Sequence, residues 1–421
     1  MSIEVVELER AVDALPGGWR RSALAGVADI SRGTSWGSEN EHRDPIDGAL
    51  PVLGIRNVQA RLEINDLVWL HGLKPSAIAS STVQMGDILM VGSNGNPARI
   101  GNAVQVDEPG RYLYASLLFG LRPRRDTVDP DFLYYAIVAP GVQAAISDAV
   151  QGTTGLSNLK ITTLRDLPID LPPLDEQRRI AEVLRSVDEA IVANAALLNG
   201  VKATKQGTME AVLSGGFDEV RLETLLADTR YPMRSGPFGS ALLKSELQPD
   251  GIPFLGIDNV HVERFVPVYR RFISEEKYRE LSRYTVYPGD VMVTIMGTVG
   301  RCCVVPPDVG TAISSKHVWT LTIDHDRYSP ALLAWQINHS PAVLEQLQGS
   351  AQGGIMSAIS SGTLRDLLVP LPSPAEVREI ENLLLSFNAQ IAALEAELDE
   401  VNTLKAAVMS DLLSGRMRVP A

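Results

Sequence analysis

The sequence predicts an α+β chain: two mixed α/β domains in tandem duplication, separated by two long helices that form an antiparallel coiled coil. Three observations carry this expectation. A block beginning Leu164-Arg165-Asp166-Leu167 recurs 200 residues later as Leu364-Arg365-Asp366-Leu367. Each copy of the block runs on into apolar residues in strict 4-3 spacing, and both remaining stretches carry short β-rich runs after Gly-Asp turns. At roughly 150 residues per domain, 421 residues suit two or three domains. The expected boundaries are 1–174 for the first mixed domain, 175–219 for a central helix, 220–374 for the second mixed domain and 375–421 for a C-terminal helix.

The repeat is tight near the end of each half. At the same shift, Leu171-Pro172 matches Leu371-Pro372, and Glu176, Arg178, Ile180, Leu184, Ser186, Ile191, Leu198, Val201, Lys205 and Met209 all match their counterparts. Leu213-Ser214-Gly215 matches Leu413-Ser414-Gly415. Upstream the echo is looser and gapped. Pro51–Val58 (PVLGIRNV) resembles Pro253–Val260 (PFLGIDNV), and Gly86–Leu89 (GDIL) resembles Gly289–Met292 (GDVM).

Pro172-Pro173, and Pro372 with Pro374, bar helix before them and suit a helix start just after. Asp175-Glu176 and Glu376 place negative charge in the first turn, where the helix dipole favours it. The apolar seam then reads Ile180, Leu184, Val187, Ile191, Leu198, Val201 and Val212. In the copy it reads Ile380, Leu384, Phe387, Ile391, Leu394, Leu398, Val401, Val408 and Leu412. Asn194, Lys205 and Lys405 interrupt it with polar side chains of the kind that fix register at some cost in stability. Glycine ends both helices, and each would run about 38 residues, or roughly 57 Å.

In the globular stretches, Asp87–Val91 and Asp290–Ile295 read as strands, and Asp129–Ala139 and Ser329–Asn338 as helices opened by a polar residue and proline. The Gly92–Pro97 loop (GSNGNP) has the composition of a turn and also of a backbone cradle for phosphate.

Composition is globular, with 45% hydrophobic and 21% charged residues. No apolar run is long enough to span a membrane, and Met1–Arg10 lacks the basic-then-apolar layout of a signal peptide, so a cytoplasmic protein without membrane partners is expected. The 38 Lys+Arg against 51 Asp+Glu give a net charge of −13, which counts against coating of nucleic acid by bulk charge and leaves room for local basic patches. The charge is uneven: residues 175–219 and 375–421 together hold −7, whereas residues 220–374 hold 14 basic against 15 acidic side chains. Local basic groups stand at Arg20-Arg21, at Arg122 with Arg124-Arg125, and at Arg264 with Arg270-Arg271.

Signs of chemistry are missing from the sequence. It has no P-loop, no dinucleotide fingerprint and no Asp/Asn-Pro-Pro-aromatic tetrapeptide. The six histidines (His42, His71, His261, His317, His325, His339) are scattered, and the two cysteines, Cys302 and Cys303, are adjacent. Ser274–Lys277 (SEEK) reads as the opening of an exposed helix rather than part of a nuclease site. A non-catalytic chain is expected, with no metal and no cofactor.

These residues resemble a known family. Leu171–Ile191 (LPPLDEQRRIAEVLRSVDEAI), with Leu164–Leu167 before it and the long helix after it, looks like the hallmark of specificity subunits of type I restriction–modification systems. Leu371–Ile391 is a second copy in which Ser373, Pro374 and Val377 depart from the pattern. Ser235–Glu246 (SGPFGSALLKSE), Pro253–Val260, Pro288–Arg301 and Gly18-Trp19 are similar to the family's target-recognition domains. The resemblance implies two recognition domains, each reading one half of a bipartite, asymmetric site in double-stranded DNA, with the paired helices setting the gap. It further implies docking of two methyltransferase subunits and of motor–nuclease subunits. S-adenosylmethionine and ATP/Mg would then sit on those partner subunits and not on this chain. A recognition subunit of a methylation-only system, and a coiled-coil scaffold that binds no DNA, remain open alternatives.

Base edges in the major groove are read by Arg, Lys, Asn, Gln, Ser and Thr carried on loops. The expected DNA contacts of the first domain are Ser93, Asn94, Asn96 and Arg99, with Thr153, Thr154, Ser157 and Asn158. Those of the second are Thr298, Arg301, Ser315, Lys316 and His317, with Gln352 and Ser357 in the matching glycine-rich stretch. Glu176, Gln177, Arg178 and Arg179 are the expected partner-docking residues, as exposed helix positions that equally suit a cap on the helix start.

Overall fold

A computed structural model describes residues 15–420 apart from 109, 154 and 350–358. The chain forms two compact units, one running to Asn194 and resuming at Glu397, the other comprising Ala195–Ala396.

The first unit is built on a four-stranded antiparallel sheet in the order Ala28–Arg32, Leu118–Pro123, Ile88–Val91, Ala103–Gln105. A second, mixed sheet runs Glu41–His42, Val68–Leu70, Leu50–Leu53, Leu113–Tyr114, with its last pair parallel. The Ile88–Val91 strand is buried on both faces, which explains its unbroken apolar sequence. The helices Pro130–Val138 and Pro140–Asp148 follow, and Asp129 caps the first by accepting from the Asp131 and Phe132 N–H groups.

The second unit repeats this plan. Its antiparallel sheet runs Met233–Ser235, Val318–Leu321, Val291–Thr294, Cys302–Val304. Its mixed sheet runs Phe272–Ile273, Ile252–Leu255, Ala312–Ser314, Thr285–Val286, again with one parallel pair. The helices Pro330–His339 and Pro341–Gly349 follow, with Ser329 as the cap. Gly33 and Gly236 occupy equivalent places against the Tyr114 and Ser314 carbonyls, where a Cβ would come within 2.2 and 1.9 Å of the oxygen. The SEEK segment does open a helix, Glu275–Leu281, with Ser274 accepting from the Lys277 N–H.

In each unit a two-stranded ladder pairs the entry to the globular part with its exit: Arg20–Ala23 with Pro168–Leu171, and Glu219–Arg221 with Leu368–Pro370. A long helix starts directly after each exit strand. These helices are Leu174–Leu213, of 40 residues, and Pro374–Ser414, of 41 residues. Glycines in the left-handed region follow both ends, Gly216 at φ +74° and Gly415 at φ +71°.

Within each unit a half of one long helix lies antiparallel to a half of the other. In the first unit Asp188 meets Lys405 at 2.5 Å and Asn194 meets Glu397 at 3.5 Å, so one number rises as the other falls. In the second unit Lys202 meets Glu395 at 2.7 Å and Lys205 meets Asn388 at 2.8 Å in the same sense. The seam positions are buried or half-buried along both helices, as heptad packing requires. The seam also joins each globular core: Ile180, Leu184, Met409 and Leu412 pack with Trp19, Leu24 and Ile169, whereas Met209, Val377, Ile380 and Leu384 pack with Leu222, Trp335 and Val369. Burying such side chains contributes about 1.5–3 kcal/mol each and ties the helices to the sheets beside them.

Candidate nucleic-acid interface

In the first unit the structure brings together two groups that are distant in sequence. Ser93-Asn94 forms a short strand at one edge of a three-stranded sheet, paired with Leu156–Asn158, which pairs in turn with Gln151–Thr153. Asn158 lies opposite Ser93, and Ser157 opposite Asn94. The Ser93 hydroxyl is buried and donates to Asn158 Oδ1, so these two side chains fix the sheet. Asn94 Oδ1 accepts from the Asn96 N–H at 2.8 Å, and Asn96 Oδ1 accepts from the Ala98 N–H at 3.1 Å, capping the 3-10 turn Pro97–Arg99. Asn96 is exposed at the head of this turn. Arg99 is half-buried and donates to the Val58 carbonyl at 3.0 Å, which anchors the loop. Thr153 ends its strand, Ser157 is buried, and Thr154 lies outside the described residues. GSNGNP is therefore an edge strand and a capped turn, whose polar side chains are largely engaged with one another.

In the second unit the expected residues fall in two places. Ser315, Lys316 and His317 follow the Ala312–Ser314 strand and line a cavity of about 440 Å³ with Lys244, Arg271, Phe254, Leu242 and Pro237. Ser315 is buried, and its hydroxyl has no partner. Lys316 is exposed. Burial, together with the charges of Lys316 and Arg271, lowers the His317 pKa, so the ring is neutral near pH 7 in a locally positive field. Arg271 pairs with Asp258 at 2.6 Å. Arg301 instead lines a separate cavity of about 650 Å³, beside the helical residues Lys202, Lys205 and Asn388. Thr298 sits in the turn before it, with its hydroxyl buried and its carbonyl accepting from Thr294 Oγ1. Gln352 and Ser357 lie outside the described residues.

Lys244 and Arg271 were not among the expected contacts. Their sequence signal was present, since Lys244 stands in the SGPFGSALLKSE segment and Arg271 in a basic pair. Only the folding of residues 237–247 against the Phe254 strand places them beside Lys316.

The PxLGIxNV segments have a structural duty. Asn57 Oδ1 accepts from the Gly54 N–H at 2.8 Å while its amide donates to the Glu63 and Asn65 carbonyls. Asn259 does the same for Gly256, Val266 and Val268. Both are buried and fully engaged, as a buried amide must be.

The helix start needs a correction. Glu176 and Gln177 are not exposed. The Glu176 carboxylate accepts two bonds from Arg418, at 2.6 and 2.8 Å. Gln177 is 1% exposed, accepts from the Asp129 N–H at 2.8 Å and donates to the Pro172 carbonyl at 2.9 Å. The reason is positional: the first helical turn lies under the loop that leads into the Pro130 helix, so the positions facing it turn inward. Arg178 is exposed and pairs with Asp175 at 3.0 Å, whereas Arg179 is half-buried. In the second copy, Ser373 and Glu376 form a reciprocal cap, with the Ser373 N–H donating to Glu376 at 2.7 Å.

Among the described residues no group of three or more His, Cys, Asp or Glu side chains is placed to hold a metal ion. No helix among them is long and apolar enough to cross a membrane.

Comparison with known proteins agrees with this architecture. The sequence model of the type I restriction modification DNA specificity domain matches residues 16–203. The putative type I restriction enzyme MjaX specificity subunit of Methanocaldococcus jannaschii is 22% identical over 429 residues, covering 97% of this chain and 96% of that protein. The type I restriction enzyme EcoBI specificity subunit of Escherichia coli is 24% identical, covering 95% of this chain and 86% of that protein. Among solved structures, the type I restriction–modification S subunit from M. genitalium superposes with a TM-score of 0.58 at 13% identity, over 95% of this chain and 98% of that one. A chain from a study of complex assembly and conformational transition of the type I R-M system gives a TM-score of 0.57 at 17% identity, over 96% of this chain and 100% of that one. The model of the type I restriction modification DNA specificity domain thus covers residues 16–203, and the type I restriction enzyme specificity subunits to which the chain is similar align along nearly its whole length.

Proposed function

We propose that this chain reads a bipartite, asymmetric DNA target, one half per globular part, and that the paired long helices set the gap between the halves. In this reading residues 1–174 and 220–374 are the recognition domains, and 175–219 with 375–421 the spacer. The spacer docks two methyltransferase subunits, to which motor–nuclease subunits add. S-adenosylmethionine and ATP/Mg then belong to those partners. The observation that carries the reading is that one scaffold is built twice with different surfaces: Asn94 and Asn96 beside a small edge sheet in the first unit, and Lys244, Lys316 and His317 around a cavity in the second. Duplicated scaffolds with unlike loops suit two unlike half-sites, because loops held out from a rigid frame carry the base contacts.

The test is co-expression with the neighbouring methyltransferase in a methylation-free host, followed by genome-wide mapping of modified adenines. A split motif with a fixed gap is the expected result. Replacement of residues 220–374 by another domain of this kind should then change one half only. A stable complex without any motif would remove the reading role, and failure to form a complex would remove the docking role.

A further inference from the structure

Glu263 holds a left-handed backbone conformation, φ +54°, at the turn of the hairpin joining Val260–His261 to Arg264–Phe265. Glycine or asparagine would take that conformation with less strain, so a glutamate kept there points to a duty for its carboxylate. That carboxylate is 18% exposed. Oε2 accepts from Lys205 Nζ at 2.5 Å, and Oε1 meets His339 Nε2 at 2.7 Å. Lys205 is itself buried in the helical seam and also donates to Asn388 Oδ1 at 2.8 Å. One side chain of the globular part therefore bonds to the first long helix and to the last turn of the Pro330–His339 helix, and through Lys205 to the second long helix. Lys202, paired with Glu395, lines the same cavity, as do Arg264, Arg301 and His261.

The first unit solves the equivalent problem differently. Its seam lysine is Lys405, the counterpart of Lys205, and its counter-ion is Asp188 at 2.5 Å. Asp188 is the counterpart of Asn388 and stands on the partner helix itself, where it also accepts from Tyr135 at 2.8 Å. The corresponding turn of the first unit, between Val58 and Leu62, is one residue shorter, and its Arg61 is exposed. Between the two halves Asp188 on the helix has become Asn388, and in the second unit the acid stands on the hairpin as Glu263. The seam lysine is neutralised in both units, and only the second draws the neutralising charge from the hairpin of its own recognition domain.

We propose that Glu263 is a positioning residue that clamps the second recognition domain onto the helical spacer and so narrows the gap length the chain accepts. The inference rests on the proposed reading of a split DNA site. A charge pair this buried is held rigidly, because leaving Lys205 without a counter-ion in the seam is costly. Loosening it leaves the base-reading loops intact and frees the angle at which the domain meets the spacer.

The test uses the full chain in complex with its methyltransferase, on a plasmid library in which both half-sites are fixed and the gap varies by one or two base pairs. Wild-type chain should methylate one gap length. Glu263→Gln should keep both half-site sequences while methylation at gaps one base pair longer or shorter rises about tenfold, the effect of losing one coupled pair. The double variant Glu263→Gln/Asn388→Asp rebuilds the first unit's arrangement. It should recover the wild-type melting temperature and still accept the altered gaps. If the double variant returns to a single gap, Glu263 only neutralises Lys205 and the inference fails. Unchanged gap preference in Glu263→Gln, or loss of the second half-site altogether, overturns it equally. A wild-type chain that shows no split motif would instead remove the underlying reading of the function.

Discussion

Arg418 lays its guanidinium against both carboxylate oxygens of Glu176, 242 residues earlier, at 2.6 and 2.8 Å. The same guanidinium reaches the Gly17 carbonyl at 3.4 Å. Glu176 is nearly buried while Arg418 is half exposed, so the pair is worth more to the carboxylate than to the arginine. A bidentate contact of this kind fixes geometry as well as charge. Arg418→Ala should therefore lower the stability of the first unit by about 1–3 kcal/mol, the range for leaving a buried acceptor unpaired. The urea midpoint measures it; a shift within error would mean that water replaces the guanidinium freely.

The Gly-Asp turns predict an asymmetry between the units. Asp290 accepts from Arg234, from Thr322 at 2.6 Å and from the Tyr287 N–H at 2.7 Å, and its arginine is 5% exposed. Asp87 accepts from Arg122 at 2.7 Å and from the Gln84 N–H at 2.9 Å, and its arginine is 41% exposed. Asp290→Asn should cost about 3 kcal/mol, because it strands a buried guanidinium, and Asp87→Asn about 1 kcal/mol. Equal losses in denaturant unfolding would show that exposure of the arginine is not the deciding factor.

Acid should weaken the second unit through Glu263. Burial alone would raise this carboxyl; the hydrogen bonds from His339 and Lys205 outweigh it and hold the pKa below the ordinary value. A lowered folded-state pKa adds stability that is present above the unfolded value, about 4.3, and lost as pH falls through the folded value. The stability difference between wild type and Glu263→Gln should be full above about pH 5 and shrink below about pH 4. A difference independent of pH would show that the glutamate acts through packing.

Lys244 and Lys316 should act as phosphate contacts. Each Lys→Ala variant should weaken binding of the assembled complex to DNA across sequences alike and reduce the slope of log affinity against log salt by about 1. An unchanged slope would place that lysine off the DNA.

The cysteines should be silent in the native protein. Burial pushes the Cys303 thiol up to about 12 and that of Cys302 well above its usual value. A thiol-alkylating reagent at pH 8 should label neither until denaturant is added, since only the thiolate reacts. Stoichiometric labelling of the folded chain would contradict the burial of both.

The duplication, the two long helices with their seam and the capped helices at Pro130 and Pro330 were legible in the sequence. Each rests on spacing or on a local rule: a repeat at 200, a 4-3 period, or a cap before a proline. What the spacing did not reveal depends on tertiary neighbours. The first turn of the Leu174–Leu213 helix looks exposed by composition, yet Glu176 and Gln177 turn inward because Arg418 and the Asp129 loop cover them. Ser93 and Asn158 look alike as polar loop residues, and only the pairing of their strands shows that they engage each other. Lys205 was legible as a polar break in the seam, whereas its counter-ion, 58 residues away on a hairpin turn, was not. Long-range charge pairing leaves no period to read.

The way the two units divide the chain has a consequence for its birth on the ribosome. The second unit is one unbroken segment, Ala195–Ala396, whereas the first needs residues from Glu397 onward to complete it. Met409 and Leu412, which pack beside Ile180 and Leu184, and Arg418, which caps Glu176, are all translated after the whole of the second unit. Domains fold as their residues emerge, at about 5–20 residues per second. The unit begun first is therefore finished last, and for roughly ten seconds or more of synthesis Ile180 and Leu184 lack their late neighbours Met409 and Leu412.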